Sequence, residues 1–113
     1  MFYIPHMDLE TLLTGTKWEI IEILANKPTS PLELADKLNT TIANISQQLR
    51  LLQTASLIKK QKTGSAKPGK PRVLFSLSDN YAFITVFSKG FAKKKLIKIT
   101  QKQKEVLKQL LKE

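Results

Sequence analysis

Residues 30–52 read SPLELADKLNTTIANISQQLRLL and hold two helix starts in close succession. Ser30-Pro31-Leu32-Glu33 has the form of a capping box, with Ser30 as the cap and Pro31 at the first helical position, where its missing N–H costs nothing. The short helix it opens is expected to bury Leu32, Leu34, Ala35 and Leu38. Asn39-Thr40 is a turn, and Asn39 tolerates the left-handed backbone such a turn needs. Thr41 can cap a second helix running to about Thr54. Its inward stripe is Ile45, Leu49 and Leu52, at spacings of four and three. At ~100° per residue the opposite face carries Ala43, Ser46, Gln47 and Arg50. That face is polar, small and nearly uncharged.

Upstream, a helical turn or two is expected from Asp8 to Thr14, closed by Gly15 in a left-handed conformation. Thr16-Lys17-Trp18-Glu19 fits another capping box. The helix it opens presents Ile20, Ile21, Ile23 and Leu24 and ends near Asn26, since Pro28 bars continuation. Trp18 reads as a core residue of that helix, and the lone histidine, His6, as a solvated side chain.

Downstream, Leu57–Gln61 and Arg72–Leu77 read as strands, with Val73, Phe75 and Leu77 alternating against Leu74, Ser76 and Ser78. The segment between them, residues 62–71, is a loop by its glycines and prolines. Tyr81–Thr100 is rich in β-branched and aromatic residues and reads as a hairpin turning at Lys89-Gly90. Phe83, Phe87 and Phe91, spaced by four, keep a helix open as the alternative. Thr100-Gln101-Lys102-Gln103 starts a terminal helix with Val106, Leu107, Leu110 and Leu111 on one face. The expected core is Ile20, Leu24, Leu34, Leu38, Ile45, Leu49, Leu52 and Phe75.

Charge divides the chain. Of 113 residues, 19 are Lys or Arg and nine Asp or Glu, a net charge of +10. Residues 1–56 carry a net −2 and residues 57–113 a net +12. A one-sided positive field attracts polyanions, nucleic acid first and an anionic membrane second. The absence of cysteine excludes a disulfide scaffold, a thiolate metal site and a thiol nucleophile. No paired carboxylates, Ser/His/Asp set or phosphate-cradling glycine loop is present, so an enzyme is not expected, nor a metal or cofactor. No run approaches the ~18 apolar residues of a membrane span, and the polar start does not read as a signal peptide, so a cytoplasmic protein is expected.

Two helices joined by a tight turn, the second with a polar outer face, make a helix-turn-helix. A basic hairpin directly after it makes a winged helix. Gln47 can pair bidentately with adenine, Arg50 can reach guanine or a phosphate, Ser46 suits either, and Ile42 and Ala43 can touch a thymine methyl. Lys59, Lys60, Lys62, Lys67, Lys70 and Arg72 form a strip without acidic residues that suits phosphates.

The run from Leu34 to Leu52, its continuation Thr54-Ala55-Ser56-Leu57-Ile58 and the returning Gly69-Lys70-Pro71-Arg72-Val73-Leu74-Phe75-Ser76-Leu77 resemble arsenic-repressor-like winged-helix regulators of the archaeal type. The likeness covers roughly residues 16–78. It implies an α+β winged helix-turn-helix fold, double-stranded DNA as partner, transcriptional control and a homodimer. The family's groove-facing positions fall on Ile42, Ala43, Asn44, Ser46, Gln47 and Arg50, and the capping Thr41 is counted with them as a DNA-binding candidate. Its metal-sensing members carry a cysteine pair on the 41–54 helix, which this chain lacks. The expected organisation is a winged helix-turn-helix domain over residues 1–78, with its wing at about 57–78, and an extension over 79–113. The extension ends in a dimerisation helix bearing Val106, Leu107, Leu110 and Leu111. An RNA-binding or protein-recruiting winged helix of the transcription or translation machinery is the alternative. The operator, the regulated genes, any effector and the sign of regulation are not legible.

Overall fold

A computed structural model of the chain describes residues 9–63 and 72–112. The protein is α+β: among the described residues there are five helices and two separate antiparallel hairpins. It divides into two compact units, residues 1–78 and 79–113. His6 lies outside the described residues.

The first unit opens with α1 (Leu9–Leu12) and α2 (Gly15–Asn26). Gly15 takes φ +59°, the left-handed conformation expected of it. The expected cap at Thr16 does not form. Helix α2 starts earlier, with Thr14 as the extended residue before it, and the Thr14 hydroxyl donates back to the Thr11 carbonyl at 3.2 Å. An N-cap must be extended, and Thr16 is already inside the first turn. Trp18 is also not core: it is 42% exposed, whereas Ile20 and Leu24 are buried. Trp18 precedes Ile20 by two positions, which at ~100° each puts the indole on the far side of the helix.

The second helix pair behaves as its capping residues dictate. In α3 (Pro31–Lys37), Ser30 and Glu33 close a full capping box, the Glu33 N–H donating to Ser30 Oγ and the Ser30 N–H to Glu33 Oε1. Leu34 and Ala35 are buried, but Leu32 is exposed and Leu38 half-buried. The reason at Leu32 is that at Trp18: two positions before Leu34, it stands opposite the buried face. Asn39, at φ +52°, ends α3 in a Schellman motif. Its N–H donates to the Asp36 carbonyl at 3.3 Å, and the Thr40 N–H to Ala35 at 3.0 Å.

Helix α4 (Ile42–Thr54) buries Ile45, Leu49 and Leu52. It ends in a second Schellman motif: Ser56 at φ +65° donates to Gln53 at 2.9 Å, and Leu57 to Leu52 at 3.1 Å. Leu57 and Leu52, the two positions that such a motif brings together, are both buried. Leu57 therefore belongs to the helix end, and β1 runs Ile58–Thr63, starting one residue later than expected and ending two residues later. It pairs with β2 (Arg72–Leu77) from Ile58↔Leu77 to Thr63↔Arg72. Phe75 exchanges both backbone hydrogen bonds with Thr29, tying the hairpin to the α2–α3 connection. The Thr29 hydroxyl, fully buried with its residue, donates to the Lys27 carbonyl at 2.9 Å. The core thus comprises Leu12, Ile20, Leu24, Leu34, Ala35, Ile45, Leu49, Leu52, Ala55, Leu57, Ile58 and Phe75.

The second unit is a hairpin and a helix. Strands β3 (Tyr81–Ser88) and β4 (Phe91–Lys98) pair across the two-residue turn Lys89-Gly90, with Gly90 at φ +84°. The extended form prevails over the helix that the phenylalanine spacing left open. Helix α5 (Gln101–Leu110) starts at a complete capping box of Thr100 and Gln103. The helix and hairpin line a cleft of about 420 Å³, with Ile84, Ile97 and Ile99 from one side and Val106 and Leu107 from the other. None of the described side chains in 79–112 is buried.

Candidate nucleic-acid interface

Helix α4 is held at both ends, and its outer face is open. The Asn44 N–H donates to Thr41 Oγ1 at 3.0 Å, so Thr41 is the cap expected of it. Ile42, Ala43, Ser46, Gln47 and Arg50 are positioned by that cap, and all five are exposed. Asn44 differs from them. Its side-chain amide donates to Thr40 Oγ1 at 3.1 Å, and its carbonyl accepts from Gln48 Nε2 at 3.1 Å. This i, i+4 ladder occupies both ends of the Asn44 carboxamide, which makes it a stiffener of the helix start rather than a free polar group. Gln48 Oε1 is buried with no partner among the described residues.

The register of the β1–β2 hairpin sorts the lysines. Side chains alternate along a strand, so Ile58 and Lys60 share a face with Phe75 and Leu77, and Lys59 lies on the other. Lys60 lines a cleft of about 290 Å³ with Ser46, Leu49, Arg50 and Gln53 of α4, Pro31 of α3, and Val73 and Phe75 of β2. Two cations, a hydroxyl and a carboxamide therefore meet at one opening, and no carboxylate is among its lining residues. Lys59 is exposed on the opposite side of the strand. Lys62 and Arg72 are placed by register near the far end of the hairpin. Lys67 and Lys70 lie outside the described residues.

The sequence pattern alone does not single out Gln53. It follows Ser46 and Arg50 at intervals of seven and three, so the same periodicity that marks those two extends to it. Pro31 starts α3, and its ring also forms a wall of the cleft. Val106, Leu110 and Leu111 are exposed, and Leu107 is half-buried. Among the described residues no group of three or more His, Cys, Asp or Glu side chains could hold a metal ion, and no helix is long and apolar enough to cross a membrane.

A family model, HVO_A0114, matches residues 12–77, more than half of the chain. The chain belongs to the HVO_A0114 family. The HVO_A0114 match begins at the buried Leu12 and stops at the last residue of β2, so it spans the described core of the first unit and leaves out the second. HVO_A0114 is a family of unknown function. Comparison with curated proteins finds no match.

Proposed function

We propose that the chain is a sequence-specific, double-stranded DNA-binding transcriptional regulator of the winged helix-turn-helix type, acting as a homodimer. The observation that carries this reading is the open face of α4 beside the Arg50–Lys60 cleft. Base-pairing chemistry and phosphate-binding chemistry lie next to each other there, with no carboxylate lining the opening. In this reading α3 and α4 are the helix-turn-helix and β1–β2 is the wing.

Helix α4 enters the major groove. Gln47 offers a donor and an acceptor to adenine, Arg50 a fork to guanine or phosphate, and Ile42 and Ala43 apolar contact to thymine methyls. Asn44, tied to Thr40 and Gln48, orients the first turn of the helix. Lys59, Lys60, Lys62, Lys67, Lys70 and Arg72 neutralise phosphates and release counterions, which drives binding without reading sequence. The arsenic-repressor-like resemblance supports the same assignment, without thiolate metal sensing because the chain has no cysteine. Such a regulator works in the cytoplasm, on the cell's DNA, and needs no metal or cofactor to bind.

Selection of bound fragments from random duplex DNA tests the proposal. A two-fold motif with half-sites about one helical turn apart is the expected result. Recovery of fragments with no common motif would remove sequence-specific regulation, and preferential capture of structured RNA would favour the RNA-binding alternative.

A further inference from the structure

We propose that the tip of the second hairpin is a docking site for single-stranded DNA, with Phe87 and Phe91 as stacking platforms and Lys89, Lys93 and Lys95 as phosphate contacts. Phe87 is 82% exposed and Phe91 55%. An exposed aromatic ring leaves a large apolar area in water, and two of them flank one two-residue turn. The register pairs Phe87 with Ala92 and Ser88 with Phe91, so the rings project from opposite faces of the tip.

The surroundings favour bases over lipid. By register Ser88, Val86 and Lys93 share the face of Phe91, and Ala92, Thr85 and Lys94 that of Phe87, all of them exposed. A lysine and a hydroxyl side chain therefore interrupt the apolar surface on each face, and the two rings do not join into one apolar patch. Membrane-interfacial elements bury a contiguous apolar face, whereas stacked bases need separate rings with cations nearby. Between Asp79 and Glu105 lie seven lysines and no carboxylate. Lys93 and Lys95 share one face of β4, ~7 Å apart along the strand, a spacing suited to successive phosphates of an extended chain. Phenylalanine has no hydrogen-bonding group to read a paired base edge. It meets a base through its π face, which a duplex hides and a single strand offers. The choice of DNA over RNA rests on the duplex-DNA reading of the first unit, which brings DNA to the protein. The hairpin chemistry does not depend on that reading.

The test is fluorescence anisotropy of the full chain with an oligothymidylate of about 15 nucleotides, the matching oligouridylate, a duplex, and anionic phospholipid vesicles. Phe87→Ala/Phe91→Ala is expected to weaken oligothymidylate binding about ten-fold or more and leave duplex binding unchanged. Phe87→Tyr/Phe91→Tyr, which keeps both rings, is expected to retain it. Lys93→Gln/Lys95→Gln should flatten the salt dependence of log K by about 1.4, the change for two phosphates of a single strand left without a cation. The proposal is overturned by wild-type protein that ignores the oligothymidylate, by an alanine variant that binds it as well as wild type, or by a tyrosine variant as weak as the alanine one. Tighter binding to oligouridylate overturns the choice of DNA. Vesicle capture that depends on the rings, with oligonucleotide binding that does not, overturns it in favour of a membrane. Gln47→Ala/Arg50→Ala tests the first unit separately: it should change duplex preference and leave oligothymidylate binding intact.

Discussion

Ser56 shows how one residue's backbone sets the path of the chain. At φ +65° it sits where an L side chain is strained by roughly 1–2 kcal/mol, yet the Schellman motif at the end of α4 requires that conformation to turn Leu57 inward. Glycine adopts it without strain but loses more entropy on folding, by roughly 0.5–1 kcal/mol. Ser56→Gly is therefore expected to stabilise the protein by about 0.5–1 kcal/mol, seen as a higher urea midpoint at unchanged m-value. Asn39→Gly, at the matching position after α3, should gain less, because asparagine already tolerates φ +52°. A Ser56→Gly variant no more stable than Asn39→Gly would show that the serine's own contacts offset the strain. The proposed base-reading residues give a second prediction at this scale. Gln47→Ala or Arg50→Ala should cost about 1–3 kcal/mol on the preferred site and relax preference at one or two base pairs, with random duplex bound almost as before. Site preference that survives both substitutions, measured by competition against single-base variants, would remove α4 as the reader.

At the scale of elements, the β1–β2 hairpin places its lysines on two faces, and the proposed contacts need not be equal. Changing Lys60, Lys62, Lys67 and Arg72 to Gln should weaken specific and random DNA nearly alike. It should also flatten the slope of log K against log[salt] by about 0.9 for each phosphate that is no longer neutralised. Within that set Lys60 is expected to matter most, since it alone of the described lysines lines the cleft with Arg50. An unchanged slope would show that the hairpin does not touch the DNA backbone. The same elements show what the sequence reveals by itself. The caps at Ser30, Thr41 and Thr100 are legible because capping is a local chemical event. The buried stripe of α4 is legible because a thirteen-residue helix gives its period room to show. Trp18 and Leu32 mislead because the first turn of a helix holds too few residues to set the phase, and hydrophobicity alone does not mean burial. The cleft is only half legible. Ser46 and Arg50 follow from helical spacing, but Lys60 joins them through the strand register, which depends on where α4 ends. That end is set by the positive φ of Ser56, a serine with no glycine signal to announce it.

For the whole molecule, the unequal distribution of buried residues carries the case for a dimer. Among the described residues, all the buried apolar side chains lie between Leu12 and Phe75, inside the first unit. The second unit consists of a two-stranded hairpin and a ten-residue helix. Each is marginal by itself in water: hairpins need a third strand or a packed helix, and helices shorter than about 12–15 residues need a packed face. Helix α5 nonetheless leaves Leu110 75% exposed, with Leu111 just beyond it 81% exposed, and its cleft with the hairpin remains lined by Ile84, Ile97 and Ile99. A second copy would supply the missing surface in the simplest way, because a two-fold axis would bury the same apolar stripe on both chains at once. It would also give the proposed regulator two reading helices and double its phosphate contacts. Light scattering without DNA is therefore expected to find a dimer at tens of micromolar, and Leu107→Asp/Leu110→Asp to yield monomers whose affinity for a two-fold site falls steeply. Wild-type protein that stays monomeric would sink the homodimer. A double mutant that stays dimeric would move the interface off α5, leaving the exposed Trp18 face of α2 as the next apolar surface to mutate.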